Sequence, residues 1–179
     1  MINTSIDSLL IPEVKLITPE SFHDFRGYTS IAFDASIAKE LDFHVVQINQ
    51  GYSLKLYTLR GFHFQDSPNE QAKLVSCLQG AIYNVAVDIR KESATFGQYV
   101  ADVLSAENRK LMYIPKGFAH GYLTLEPKTL MQWCVDGYFC GEKAKCLRFD
   151  SCGVEWPVED WSQVILSEKD KAGIRIETI

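Results

Sequence analysis

The sequence predicts an all-β fold, a double-sheet jelly roll with short helices at its periphery. Three observations point there. Ala81 to Arg90 alternates with period two, placing Ala81, Tyr83, Val85, Val87 and Ile89 on one face and Asn84, Asp88 and Arg90 on the other. Short apolar runs recur along the rest of the chain, separated by turn signals every ~8–12 residues. Only Ala35 to Leu41, which Asp34 is placed to cap, reads as an early helix.

Taken in order, Glu13 to Ile17 reads as a strand stopped by Thr18-Pro19, and Tyr28 to Phe33 as an apolar run after the turn Asp24-Phe25-Arg26-Gly27. Phe43 to Asn49 resumes a strand, with Val45, Gln47 and Asn49 on one side and Val46 and Ile48 on the other. Beyond the Ala81 strand come Gln98 to Leu104, Leu111 to Ile114, Phe118 to Leu125 (carrying His120), Leu130 to Val135 and Lys145 to Phe149. The tail from Trp161 to Ile179 is expected to pack on the outside, with a helical turn near Ser167 to Lys171. No repeat or internal linker interrupts the chain, so residues 1–179 are expected to form a single domain.

Composition narrows the function. A net charge of -5 argues against a dedicated nucleic-acid binder, while leaving room for a local basic pocket. No apolar stretch reaches the ~18 residues a membrane span needs. Met1 to Leu10 lacks a cationic start followed by an apolar run, and five cysteines without close pairs suit reduced thiols, so a cytoplasmic protein is expected.

The residues that carry chemistry gather in Leu59-Arg60-Gly61-Phe62-His63-Phe64-Gln65, with Lys73 following. On a regular strand Leu59, Gly61, His63 and Gln65 share one face. A lone histidine in such a setting is usually a core residue satisfied by a neighbour; the cations around this one favour proton abstraction from an anionic substrate.

These motifs, with Gln71-Ala72-Lys73-Leu74-Val75, Val87-Asp88-Ile89-Arg90, Ile114-Pro115-Lys116-Gly117-Phe118-Ala119-His120-Gly121 and Leu166-Ser167-Glu168-Lys169-Asp170, resemble the family of sugar-nucleotide epimerases typified by dTDP-4-dehydrorhamnose 3,5-epimerase. The likeness runs unbroken over nearly the whole chain. It implies a cupin-type double-stranded β-helix, usually a homodimer, acting without a cofactor on a nucleotide-linked 4-keto-6-deoxy sugar. It makes His63 the base, Asp170 the carboxylate that orients it and Lys73 the group that stabilises the enolate. Arg26 and Arg60 would hold the diphosphate, Gln47, Asn49, His120 and Lys169 would line the ligand site, and Tyr138 would stack on the nucleotide base. His63 and His120 alone fall short of three protein ligands, and Lys73 and Arg60 repel cations, so no metal is expected.

The same resemblance exposes departures. The family's acid is a tyrosine, and ungapped counting puts Gln132 in its place and in the ligand site; an amide cannot deliver a proton as a phenol can. Ile31 and Lys143 fall where the family carries glutamates, Asn84 where it carries aspartate, and Tyr57 where glycine is common. The expectation is an epimerase narrowed to one carbon, C3 or C5, or to a different sugar nucleotide. The competing readings are a non-catalytic sugar-nucleotide binder and a cupin-type ketoisomerase.

Overall fold

A computed structural model of the chain describes residues 4–179. The amino-terminal part holds β1 (Ser5–Ser8), β2 (Lys15–Thr18), β3 (Ser21–Asp24), β4 (Gly27–Ser30), helix α1 (Ala35–Glu40) and β5 (Gln47–Ser53). The middle holds β6 (Leu59–Gln65), β7 (Lys73–Gln79), β8 (Ala81–Asp88), β9 (Tyr99–Ser105), β10 (Leu111–Ile114), β11 (Phe118–Thr124) and β12 (Thr129–Val135). The end adds β13 (Ala144–Cys146) and α2 (Glu168–Lys171).

Two sheets form the jelly roll that the strand pattern predicts. One runs β1-β2-β10-β7-β12-β5 and the other β13-β6-β11-β8-β9, with antiparallel neighbours throughout. Strands β3 and β4 form a separate hairpin. Asp34 caps α1 as expected, its carboxylate accepting from the Ser36 and Ile37 amides. Strand β5 starts four residues later than the apolar run suggests, and β1, β3 and β7 had no strand reading in the sequence.

The chain buries three apolar layers rather than one. Between the sheets lie Val75, Met112 and Met131 from one side and Ile82, Ala86 and Leu104 from the other. Helix α1 covers the back of the first sheet with Ile37 and Leu41. The carboxy-terminal tail covers the back of the second, where Trp156 and Ile176 pack on Phe62, Val85 and Val87. Strand β8 is therefore buried on both faces. Its conspicuous apolar face, Val85 and Val87, meets the tail, while the face bearing Ile82, Asn84 and Ala86 looks inward.

Strand β6 departs from simple alternation. On β11, His120 pairs with His63 and Tyr122 with Arg60, so three steps on β6 oppose two on its partner. This bulge brings Arg60 to the cavity side beside His63, while Leu59 and Phe64 pack with Phe62 in the tail-side core and also border the cavity. The expected shared face of Leu59, Gly61, His63 and Gln65 is thus broken at Gly61. That residue has φ +119, and a Cβ there would sit 2.6 Å from the Gly121 Cα and 2.7 Å from the His120 carbonyl oxygen. Only glycine allows the close approach.

Candidate active site

The two sheets and the tail enclose an open cavity of about 590 Å³. β6 contributes Arg60 and His63, β7 Lys73, β11 His120 and Tyr122, β12 Met131 and Trp133, and the segment around α2 brings Lys169 and Asp170.

His63 Nε2 is 2.7 Å from Asp170 Oδ1. An ionised carboxylate only accepts, so Nε2 carries the proton and Nδ1 keeps the lone pair. Asp170 is almost fully buried, with Ser167 Oγ donating to Oδ2 at 2.9 Å and the Cys146 thiol to Oδ1 at 3.4 Å. Burial pushes its carboxyl up, but the bond and charge of His63 and the bonds from Ser167 and Cys146 prevail and hold its pKa below the usual range.

Lys73 opens β7 and is buried, its ammonium donating to the His63 carbonyl oxygen at 3.1 Å. Burial, with no carboxylate to offset it, lowers its pKa to about 8. Among the described residues no carboxylate pairs with it, so the cation faces the cavity ready for negative charge that develops on a substrate.

His120 is buried, and its Nε2 lies 2.8 Å from Asn84 Oδ1. The Asn84 amide nitrogen points to Met112 Sδ at 3.2 Å, so the oxygen accepts and His120 Nε2 is the protonated nitrogen. Burial, then the charges of Lys73 and His63, depress its pKa well below the usual imidazole value. His120 is a neutral ring.

Five expected residues do not line this cavity. Gln132 is not in the cavity: β12 alternation sends Met131 and Trp133 inward and Gln132 outward, where Gln50 donates to it at 3.2 Å. The ungapped count landed one residue short of a cavity-facing position, and on a strand one residue reverses the face. Arg26 sits at the tip of the β3–β4 hairpin, paired with Asp24 at 2.6 Å and 76% exposed, and does not line this cavity. Tyr138 is exposed beyond β12, and its neighbour Phe139 is the aromatic that reaches the cavity. Gln47 and Asn49 bond to each other at 2.5 Å and share a face of β5 with the cavity-lining Gly51. The sequence reading missed Tyr122, Trp133, Cys146 and Phe139; strand parity on β11 and β12 is the signal that finds the first two.

His63, Cys146 and Asp170 are the one group of three metal-type donors among the described residues, with ligand atoms within 4.8 Å. The set fits a resident cation poorly. Burial pushes the Cys146 thiol to about 12, Asp170 reinforces this, and the thiol acts as a hydrogen-bond donor.

An oriented imidazole with a free nitrogen, a buried ammonium and a roomy cavity in a jelly roll define a class, the carbohydrate epimerases that work by proton abstraction next to a carbonyl. A profile of the family described as dTDP-4-dehydrorhamnose 3,5-epimerase matches residues 8–178. The enzyme of that name from Sinorhizobium fredii is 41% identical over 169 residues, covering 92% of this chain and 86% of its own. The one from Salmonella typhimurium is 40% identical over 174 residues, covering 96% and 92%. The solved dTDP-6-deoxy-D-glucose-3,5-epimerase of Legionella pneumophila, in complex with dTDP-4-keto-L-rhamnose, superposes with a TM-score of 0.93 at 37% identity, covering 99% of this chain and 95% of that one. The chain belongs to the dTDP-4-dehydrorhamnose 3,5-epimerase family and is an isomerase of 4-keto-6-deoxy sugar nucleotides. Among the described residues no helix is long and apolar enough to cross a membrane.

Proposed function

We propose that His63 Nδ1 removes the proton alpha to the C4 ketone, with Asp170 fixing the ring and balancing the imidazolium. The observation that carries this reading is the 2.7 Å His63–Asp170 pair beside the unneutralised Lys73. As the C–H bond breaks, its electrons move onto the ketone oxygen, and Lys73 stabilises that oxyanion. His120, neutral and with Nδ1 as an acceptor, orients a sugar hydroxyl. Arg60 and Lys169 bind the diphosphate, Gln47 and Asn49 line the route to the nucleotide, and Tyr138 and Phe139 cover its base.

We assign Arg26 to a partner's cavity. Its hairpin pairs with neither main sheet and exposes Phe22, Phe25 and Tyr28, an apolar surface suited to a second copy in a homodimer. The working form is a single-domain, cytoplasmic subunit pair, its five free thiols in keeping with a reducing compartment.

Because Trp133, which has no acidic proton, faces the cavity from β12, we favour inversion at one carbon, C3 or C5, over inversion at both. Incubation with dTDP-4-keto-6-deoxyglucose in heavy water, followed by proton NMR at C3 and C5, tests this. Exchange with inversion at one carbon is expected. Exchange and inversion at both would overturn the narrowed reading. Nucleotide binding without any exchange would favour a binder, and migration of the carbonyl a ketoisomerase.

A further inference from the structure

Inverting a carbon centre needs a proton delivered to the face opposite the one deprotonated. Gln132 is turned away from the cavity, and Trp133 offers only an indole N–H. With Lys73 assigned to the ketone oxygen, a donor from another element is needed, and Tyr122 is the phenol the cavity offers.

Tyr122 is the sole tyrosine among the residues lining the cavity. It follows His120 by two residues on β11, and the two rings stack with centroids 6.2 Å apart. Its Cα belongs to the same sheet as His63, but its hydroxyl reaches the opposite wall. There it lies near Ser53 of β5, whose hydroxyl favours the phenolate, and a Cβ on Gly51 of β5 would come within 3.4 Å of the phenol oxygen and 3.3 Å of the Trp133 ring. Gly51 thus leaves a space where the phenol and the indole converge. The base projects from the β6 side of the cavity and the phenol tip stands at the β5–β12 side.

We infer that Tyr122 donates the proton that completes inversion, on the face of the sugar opposite His63; this rests on the epimerase reading above. Electrons returning from the enolate oxygen form the new C–H bond with the Tyr122 hydroxyl proton. Tyr122 is left as phenolate and His63 as imidazolium. His63 then releases its proton to solvent and Tyr122 recovers one, so the cycle balances. Ser53 and Arg60 are placed to support the phenolate: Arg60 Nε donates to Ser53 Oγ at 3.4 Å, and both groups favour the charged form of the phenol. Burial, the largest influence, keeps the resting hydroxyl protonated.

The test separates exchange from inversion in Tyr122→Phe. In heavy water the variant should still wash deuterium into the substrate with retained configuration, while inversion falls by about 10²–10⁴-fold. Wild-type inversion in Tyr122→Phe, with melting unchanged, would overturn the assignment. If removal of the hydroxyl unfolds the chain, Ser53→Ala provides the second route, and it should lower inversion more than exchange; equal loss of both would overturn the assignment. Failure of the epimerase reading itself looks different, because the wild type would then show no exchange at all.

Discussion

His63 and Asp170 are 107 residues apart in the chain and 2.7 Å apart in the fold. The pair closes the cavity across two elements, a strand of the second sheet and a four-residue helix of the tail. Asp170→Asn keeps the shape but can present its amide N–H to the ring, which reverses the tautomer and puts the proton on Nδ1. Turnover is expected to fall by about 10²–10⁴-fold with little change in substrate affinity. Steady-state kinetics check this, and a fall confined to KM would contradict it.

Lys73 trades stability for chemistry. A lysine with a folded pKa of about 8, against about 10.4 unfolded, costs the fold stability. The cost is full below about 8 and shrinks as pH rises toward about 10.4. Lys73→Met should abolish detectable turnover and stabilise the protein by roughly 1–3 kcal/mol at pH 7. Thermal melts at pH 7 and at about pH 10 check the sign, because the gain should narrow at the higher pH. Wild-type turnover should decline as pH rises through about 8, where the cation is lost.

Asp88 is a structural anion. It is fully buried, paired with Arg90 at 2.7 Å and bonded by Ser93 and Thr95, each at 2.6 Å. Burial raises its pKa, but these partners overcome that and hold it at about 2. The stability it adds is present above its unfolded value of about 3.9 and is lost as pH falls toward about 2. Asp88→Asn leaves the Arg90 charge short of a partner and should cost roughly 3–5 kcal/mol in urea unfolding. An unchanged midpoint would count against this account.

Asn84 fixes the tautomer of His120, whose burial keeps the ring neutral. Asn84→Asp would place a carboxylate where the amide oxygen now lies, 2.8 Å from Nε2, and should raise the His120 pKa. NMR titration of the imidazole resonances measures this directly. A higher His120 pKa would also convert its cavity-facing nitrogen from acceptor to donor, visible as a changed KM for the keto sugar.

Much of the fold was legible from periodicity. β8, β10, β11 and β12 fall within a residue or two of their apolar runs, and α1 begins where Asp34 says it should. The convergence of His63, Lys73, Lys169 and Asp170 on one cavity was also legible, because they sit in motifs whose order survives. What failed were single-residue matters of face. The β6 bulge brings Arg60 to the side of His63, and periodicity carries no sign of it beyond Gly61. The count into β12 ended on Gln132, and a strand has no half-measures: its neighbour Trp133 faces the opposite way. β7 was overlooked because Lys73 and Ser76 interrupt its apolar run. Tyr122 lies in a strand buried at every position, so only its two-residue spacing from His120 marks the functional face.

The tail supplies Asp170 and also the cover over the second sheet. The stretch that orients the imidazole is the same one that closes the apolar layer over the second sheet. Loosening the tail would remove the Asp170 carboxylate, Lys169 and one wall of the cavity together, so docking of the tail and organisation of the site are a single event.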